Sequence, residues 1–164
     1  MAKELGFTIE PHQTSSEIIR AILSDSAIKK MQEILYYDKN IAFSSPLMAG
    51  AKSGLERFKR DNLPFFLISR RRDSELAKQL LVLRGLWPDY FNESNSYFVL
   101  EPEDKDKKAK ELGITHYLDD EVKVLAKLVS VERRFLFDRF GVFGKSDFYT
   151  AISSWPDFLK ELKK

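Results

Sequence analysis

The chain has no cysteine and only two histidines, His12 and His116, among its 164 residues. Disulfide bonds and thiolate metal sites are therefore excluded, and a zinc site built mainly on imidazoles would lack ligands. Carboxylates are plentiful, since Asp and Glu together number 25. Because hard cations prefer oxygen ligands, a magnesium site remains compatible with this composition.

Long apolar runs are also missing. No run approaches the roughly 18 consecutive apolar residues that a membrane-spanning helix needs. The first residues, Met1 to Gly6, do not have the apolar core of a signal peptide. We therefore expect no membrane partner and a cytoplasmic location.

A strong net charge is absent as well, because the formal net charge is only +2. This value is too small to indicate a partner of opposite charge. Arg70-Arg71-Arg72 is a local basic run, which beside a helix start is more typical of a solvated or anion-facing turn than of a nucleic-acid groove. We do not expect nucleic-acid binding. The oligomeric state is not indicated.

The length and composition favour one folded domain spanning 1–164. Apolar residues make up 43% of the chain and charged residues of both signs 32%, which is typical of a folded protein and not of a disordered one. A chain of 164 residues is long enough for one buried core but not for two ordinary domains.

Apolar periodicity predicts an alternation of strands and helices. The predicted strands are Leu5 to Ile9, Pro64 to Ile68, Tyr97 to Leu100, Thr115 to Leu118 and Arg134 to Phe137. The predicted helices are Gly50 to Arg60, Asp73 to Arg84, Lys105 to Leu112, Glu121 to Leu128 and Pro156 to Leu162. Strands that alternate with helices indicate an α/β fold with a doubly wound parallel sheet.

The segment before Gly50 has a different pattern. Residues Ser16 to Tyr37 contain two consecutive helical stretches with no strand between them. We predict a small helical cap insertion over 15–45. It could close over a site as a lid, or its helices could simply cover one face of the sheet.

Two adjacent carboxylates, Asp119 and Asp120, end the fourth predicted strand. Ligands of open α/β sheets bind beyond the carboxyl ends of the strands, where paired carboxylates could hold Mg²⁺ against a phosphate. In the alternative interpretation, Asp120 caps the following helix while Asp119 points to solvent.

Polar residues also follow the other predicted strands. Glu10 and His12 follow the first strand, Ser69 and Arg70 follow the second, and Lys105 opens the helix before the carboxylate strand. Further segments complete the pattern: Pro46 to Ala51, Phe137-Asp138-Arg139 and Ser154-Trp155. In order and spacing these motifs resemble the haloacid dehalogenase-like (HAD) hydrolase superfamily, particularly its small phosphatases and nucleotidases, most clearly from Pro46 onward.

The resemblance implies a Rossmann-type sheet that hydrolyses a phosphomonoester with Mg²⁺. It implies that Ser69 donates a hydrogen bond to the phosphoryl group, that Lys105 neutralises it, and that Arg70 is a further contact. Asp119 and Asp120 would hold the magnesium ion. The implied ligand is a small phosphorylated molecule, with nucleotides among the candidates.

The first motif departs from the family, which has two aspartates around one variable residue. Here Glu10 takes the position of the nucleophile, which would also be the third carboxylate ligand of the metal ion. His12 takes the position of the general acid. Glutamate is one methylene longer than the aspartate of the family. Because the geometry of an active site is held to ~0.5 Å, this extra length would displace the carboxylate. An imidazole, titrating near pH ~6.5, could act as the acid. The sequence thus leaves two functions open: a weak Mg²⁺-dependent phosphatase, or a catalytically silent relative that binds a phosphorylated ligand or a protein partner.

Overall fold

A computed structural model describes residues 8–71 and 73–163, apart from the side chain of Tyr36. Of the predicted first strand, residues 5–7 lie outside the described residues, and Thr8 and Ile9 are not in a strand. Within the described ranges, no helix combines the length and apolarity needed to cross a bilayer.

The described chain is a mixed α/β structure with short parallel strands. The strands are β1 (Leu67–Arg70), β2 (Ser96–Val99), β3 (His116–Asp119), β4 (Arg133–Phe137) and β5 (Thr150–Ile152). The helices are α1 (Ser16–Ile22), α2 (Asp25–Tyr37), α3 (Lys39–Ser44), α4 (Ala51–Arg60), α5 (Ser74–Leu83), α6 (Pro102–Glu111), α7 (Val122–Lys127) and α8 (Trp155–Glu161). A 3₁₀ turn, Pro11–Gln13, precedes α1.

The described strands form two parallel ladders. In one, β1 pairs with β2, and in the other the order is β3–β4–β5. Parallel neighbours require a crossover connection, and α5 connects β1 to β2 while α7 connects β3 to β4. The predicted α/β class is confirmed. One continuous doubly wound sheet stays a prediction, because no ladder joins β1 to β3 among the described residues.

Both ladders lie in one layer between two layers of helices. On one side, Ile68 of β1 and Tyr117 of β3 belong to the same apolar cluster as Ala109 of α6 and Leu125 of α7. On the other side, residues of both ladders pack with α4 and α8: Leu67, Leu118, Phe135, Phe58 and Phe158. Alternate residues of a strand point to opposite faces, so the apolar strands are covered on both sides.

Three further elements differ from the sequence prediction. The second strand begins at Leu67 and not at Pro64, because proline has no N–H for a ladder. In addition, α3 and β5 were not predicted; β5 has only three residues, too few for periodicity to reveal.

The segment over 15–45 has a small apolar cluster of its own, formed by Ile19, Leu23 and Ile28. It also contacts the rest of the protein at two places. Arg84 Nη2, just after α5, donates to the Phe43 carbonyl at 2.7 Å, and the Lys123 amide of α7 lies 3.5 Å from Glu17 Oε1. Its role as a lid stays a prediction.

We expect Phe135→Ala to lower the free energy of unfolding by about 3–5 kcal/mol, because truncating a buried aromatic leaves a cavity. Phe135 is 1% exposed and its ring lies 5.1 Å from that of Phe158. Urea denaturation measures the change. The matched control is Phe140→Ala, at a ring that is 44% exposed, where a change within about 0.5 kcal/mol is expected. Equal losses in the two variants would contradict this account of the core.

Candidate functional site

A buried ion pair joins α6 to the end of β3. Lys105 Nζ lies 2.6 Å from Asp119 Oδ2, and the two side chains are only 10% and 8% exposed. The other oxygen of this carboxylate, Oδ1, accepts a hydrogen bond from the Glu121 amide at 3.0 Å. Both carboxylate oxygens are therefore satisfied, as a buried charge requires.

The start of α6 fixes the position of Lys105. Pro102 is the first residue of the helix, and Glu101 and Asp104 form a reciprocal capping box there. Lys105 and Ala109 are four residues apart and share one helix face, and Ala109 is completely buried. Lys105 therefore points inward, although it belongs to a charged run of the kind that usually faces solvent.

Asp120 differs from its neighbour, because it is exposed at the surface. Much of its surroundings is nevertheless protein, and the loss of hydration together with the Asp119 carboxylate raises the pKa of Asp120. The alternative in which Asp120 caps the following helix and Asp119 points to solvent was wrong in both parts. Asp119, and not Asp120, accepts the hydrogen bond from the Glu121 amide before α7, and Asp119 is the buried carboxylate.

Ser69 and Arg70 end β1 as Asp119 ends β3, and α6, which carries the Lys105 partner of Asp119, packs against β1. The Ser69 side chain makes no hydrogen bond to another described residue, and Arg70 is exposed. A hydrogen bond from Lys127, with a smaller contribution from nearby Arg70, lowers the pKa of Glu103 on α6. The predicted phosphate-binding residues thus lie at the end of one strand, β1, and on α6, the helix that connects the two ladders along the chain.

Glu10 and His12 lie at the 3₁₀ turn that precedes α1. Both side chains are exposed, and Glu10 forms a reciprocal capping box with Gln13, whose Oε1 accepts from the Glu10 amide at 2.9 Å. Among the described residues, no hydrogen bond or ion pair links Glu10 or His12 to Lys105 or Asp119. Their catalytic roles stay predictions.

The magnesium site stays a prediction too. Over residues 8–71 and 73–163, the structure contains no group of three or more His, Asp or Glu side chains arranged to hold a metal ion. Glu10 therefore does not complete a site with Asp119 and Asp120. The donor chemistry still suits a hard cation, because Asp120 is an exposed carboxylate that makes no ion pair with another described residue.

No protein-family model, curated protein or solved structure matches this chain. The function must therefore be argued from the arrangement of these side chains and from the motif resemblance.

The sequence does not reveal the hydrogen-bonding roles of two residues. Tyr117 is predicted only as part of an apolar strand, yet its hydroxyl donates to the Ile68 carbonyl at 3.3 Å. Asp138 immediately follows β4 and is 5% exposed; its carboxylate accepts from the amides of Val142 and Phe143 at 3.0 and 2.9 Å. An Asp three residues before Gly141 is a turn signal that could have revealed this loop anchor.

Asp120→Asn should stabilise the protein at neutral pH. Because the folded-state pKa of Asp120 is raised above 3.8, the folded protein binds this proton more tightly, so ionisation of Asp120 costs stability as pH rises above that value. The melting temperature of Asp120→Asn should exceed that of the wild type at pH ~7, and the difference should shrink towards pH ~3.5.

Thermal melts in chelator test this expectation, with Asp89→Asn as a control at an exposed aspartate outside the site. An advantage of Asp120→Asn that did not depend on pH, or one equalled by the control, would contradict it.

Proposed function

We propose that this chain is a HAD-like protein that binds a phosphorylated small molecule beyond the carboxyl ends of β1 and β3. The observation that carries the proposal is the buried Lys105–Asp119 pair beside the strand end that bears Ser69 and Arg70. Parallel strands covered by helices on both faces bind ligands at this edge.

The cationic and hydroxyl groups at this edge suit a phosphoryl group. An ammonium has three N–H donors, of which Asp119 uses one, so Lys105 retains donors for an anion. The Ser69 hydroxyl is available as a neutral donor. Arg70 is exposed, and a guanidinium binds phosphate in a bidentate manner.

The geometry favours binding over hydrolysis. A nucleophile must lie within reach of the phosphorus and opposite the leaving group. Glu10 instead lies at an exposed 3₁₀ turn and caps it through Gln13. A catalytically silent relative of the phosphatases is therefore the better-supported candidate.

Weak Mg²⁺-dependent hydrolysis of a phosphomonoester is the second candidate, and Asp120 favours it. A carboxyl whose pKa is raised by its surroundings and by Asp119 would gain from a bound divalent cation, because the cation supplies the missing positive charge. Asp119 and Asp120 would hold Mg²⁺, which would supply Lewis-acid stabilisation of the phosphoryl oxygens. Glu10 and His12 would then serve as nucleophile and acid.

Equilibrium dialysis with labelled inorganic phosphate, with and without Mg²⁺, tests the proposal. Lys105→Met should weaken phosphate binding about 10- to 100-fold, the effect of losing a charge-assisted hydrogen bond of about 1.5–3 kcal/mol. The matched control is Lys107→Met, because Lys107 is exposed on the same helix; its affinity should match the wild type.

Ser69→Ala is a second variant that avoids removing a buried charge. We expect phosphate binding about fivefold weaker, from the loss of one neutral hydrogen bond. Absence of phosphate binding by the wild type, or equal binding by all variants, would overturn the proposal.

Release of phosphate from p-nitrophenyl phosphate separates the two candidates. A silent protein should give none above background, and Glu10→Gln should bind phosphate as the wild type does. Turnover that Glu10→Gln abolishes would instead establish the hydrolase.

A further inference from the structure

The Tyr117 side chain joins the two strand ladders by a hydrogen bond. Tyr117 of β3 is 8% exposed, and its hydroxyl donates to the Ile68 carbonyl of β1 at 3.3 Å. In the described part of the chain, this is the hydrogen bond that crosses between the strands of the two ladders. Ile68 immediately precedes Ser69, and Tyr117 lies two residues before Asp119.

The Ile68 carbonyl is available because of the strand pairing. The Leu67 amide points towards β2, because it donates to the carbonyl of Asn95, the residue before β2, at 2.9 Å. Successive backbone groups of a parallel strand point to opposite edges, so the carbonyl of Ile68 points away from β2. A buried carbonyl needs a hydrogen-bond donor, and Tyr117 supplies it.

The Tyr117 ring is well held and its hydroxyl stays a donor. The ring packs in the apolar cluster with Ile68, Ala109 and Leu136. Burial, with a smaller contribution from Asp119, raises the pKa of Tyr117, so the hydroxyl keeps its proton at neutral pH. The connection between β1 and β3 is therefore a direct hydrogen bond whose donor stays protonated at neutral pH.

We propose that Tyr117 is a positioning residue that sets the separation between the Ser69 end of β1 and the Asp119 end of β3. This inference rests on the proposed phosphate site, whose donors belong to β1 and to α6, and the Lys105–Asp119 pair joins α6 to β3. Donors to one phosphoryl group must be placed to within ~0.5 Å. A shift of one ladder against the other would move Ser69 away from Lys105 without removing either.

Tyr117→Phe tests the proposal, because it removes the hydroxyl and keeps the ring. We expect phosphate binding to weaken by about fivefold, the loss expected when Ser69 no longer reaches the anion. The matched control is Tyr97→Phe. The Tyr97 hydroxyl, on β2, also donates to a backbone carbonyl, that of Ser94 at 3.0 Å. Ser94 lies in the loop just before β2, so this bond does not join the two ladders. The control should bind phosphate within twofold of the wild type.

A double-mutant cycle with Ser69→Ala separates positioning from general destabilisation. If Tyr117 acts by placing Ser69, the loss caused by Tyr117→Phe should largely disappear in the Ser69→Ala background. Losses that add fully, or unchanged phosphate binding in Tyr117→Phe, would overturn the proposal.

Amide hydrogen exchange without ligand makes the test independent of the proposed function. Tyr117→Phe should speed exchange at least tenfold at residues 67–70 and 116–119, and Tyr97→Phe should not do so at 116–119. If the wild type bound no phosphate, the proposed function would fail, while this exchange pattern would still support the strand connection. Unchanged exchange in Tyr117→Phe would overturn it.

Discussion

The rest of the site depends on the burial of one ammonium group, that of Lys105. Withdrawing it from water is costly, and only a close carboxylate such as Asp119 compensates for that cost. The pair therefore fixes which face of α6 points inward and where β3 ends. It also separates two adjacent carboxylates, since Asp119 is held inside while Asp120 stays at the surface.

Packing on both faces of the strands holds the two short ladders in alignment. Ile68 and Tyr117 pack against the same helices on one face, and Leu67 and Leu118 share the aromatic cluster on the other. Side chains on both faces thus align ladders that the described backbone does not join. Most of the alignment comes from apolar packing, and the Tyr117 hydrogen bond adds direction to it.

Much of this architecture was predictable because local chemistry determines it. Asp73, the first residue of a predicted helix, caps α5 through the Leu76 amide. Gly85 and Gly113, which immediately follow two predicted helices, adopt positive φ angles of 63° and 65°. Such signals involve residues a few positions apart, and they depend little on the remainder of the chain.

The pairing within the site was not predictable in the same way. Lys105 and Asp119 are 14 residues apart, and no local rule states that they meet, or which of two neighbouring aspartates turns inward. Periodicity treats Tyr117 as apolar and does not show that its hydroxyl has a partner in another ladder. The place of Glu10 depends on the residues before it, of which residues 1–7 lie outside the described structure.

The unequal surroundings of Asp119 and Asp120 have a consequence for how anions and cations bind. Lys105 is already balanced by Asp119, so among the described residues of the proposed phosphate site Arg70 is the remaining cation, and the Asp120 carboxylate would repel a phosphate unless a cation accompanied it. Binding of the two ions is then thermodynamically linked, and each must raise the affinity for the other by the same factor. The occupancy of such a site would depend on the product of the phosphate and cation concentrations and not on the phosphate concentration alone.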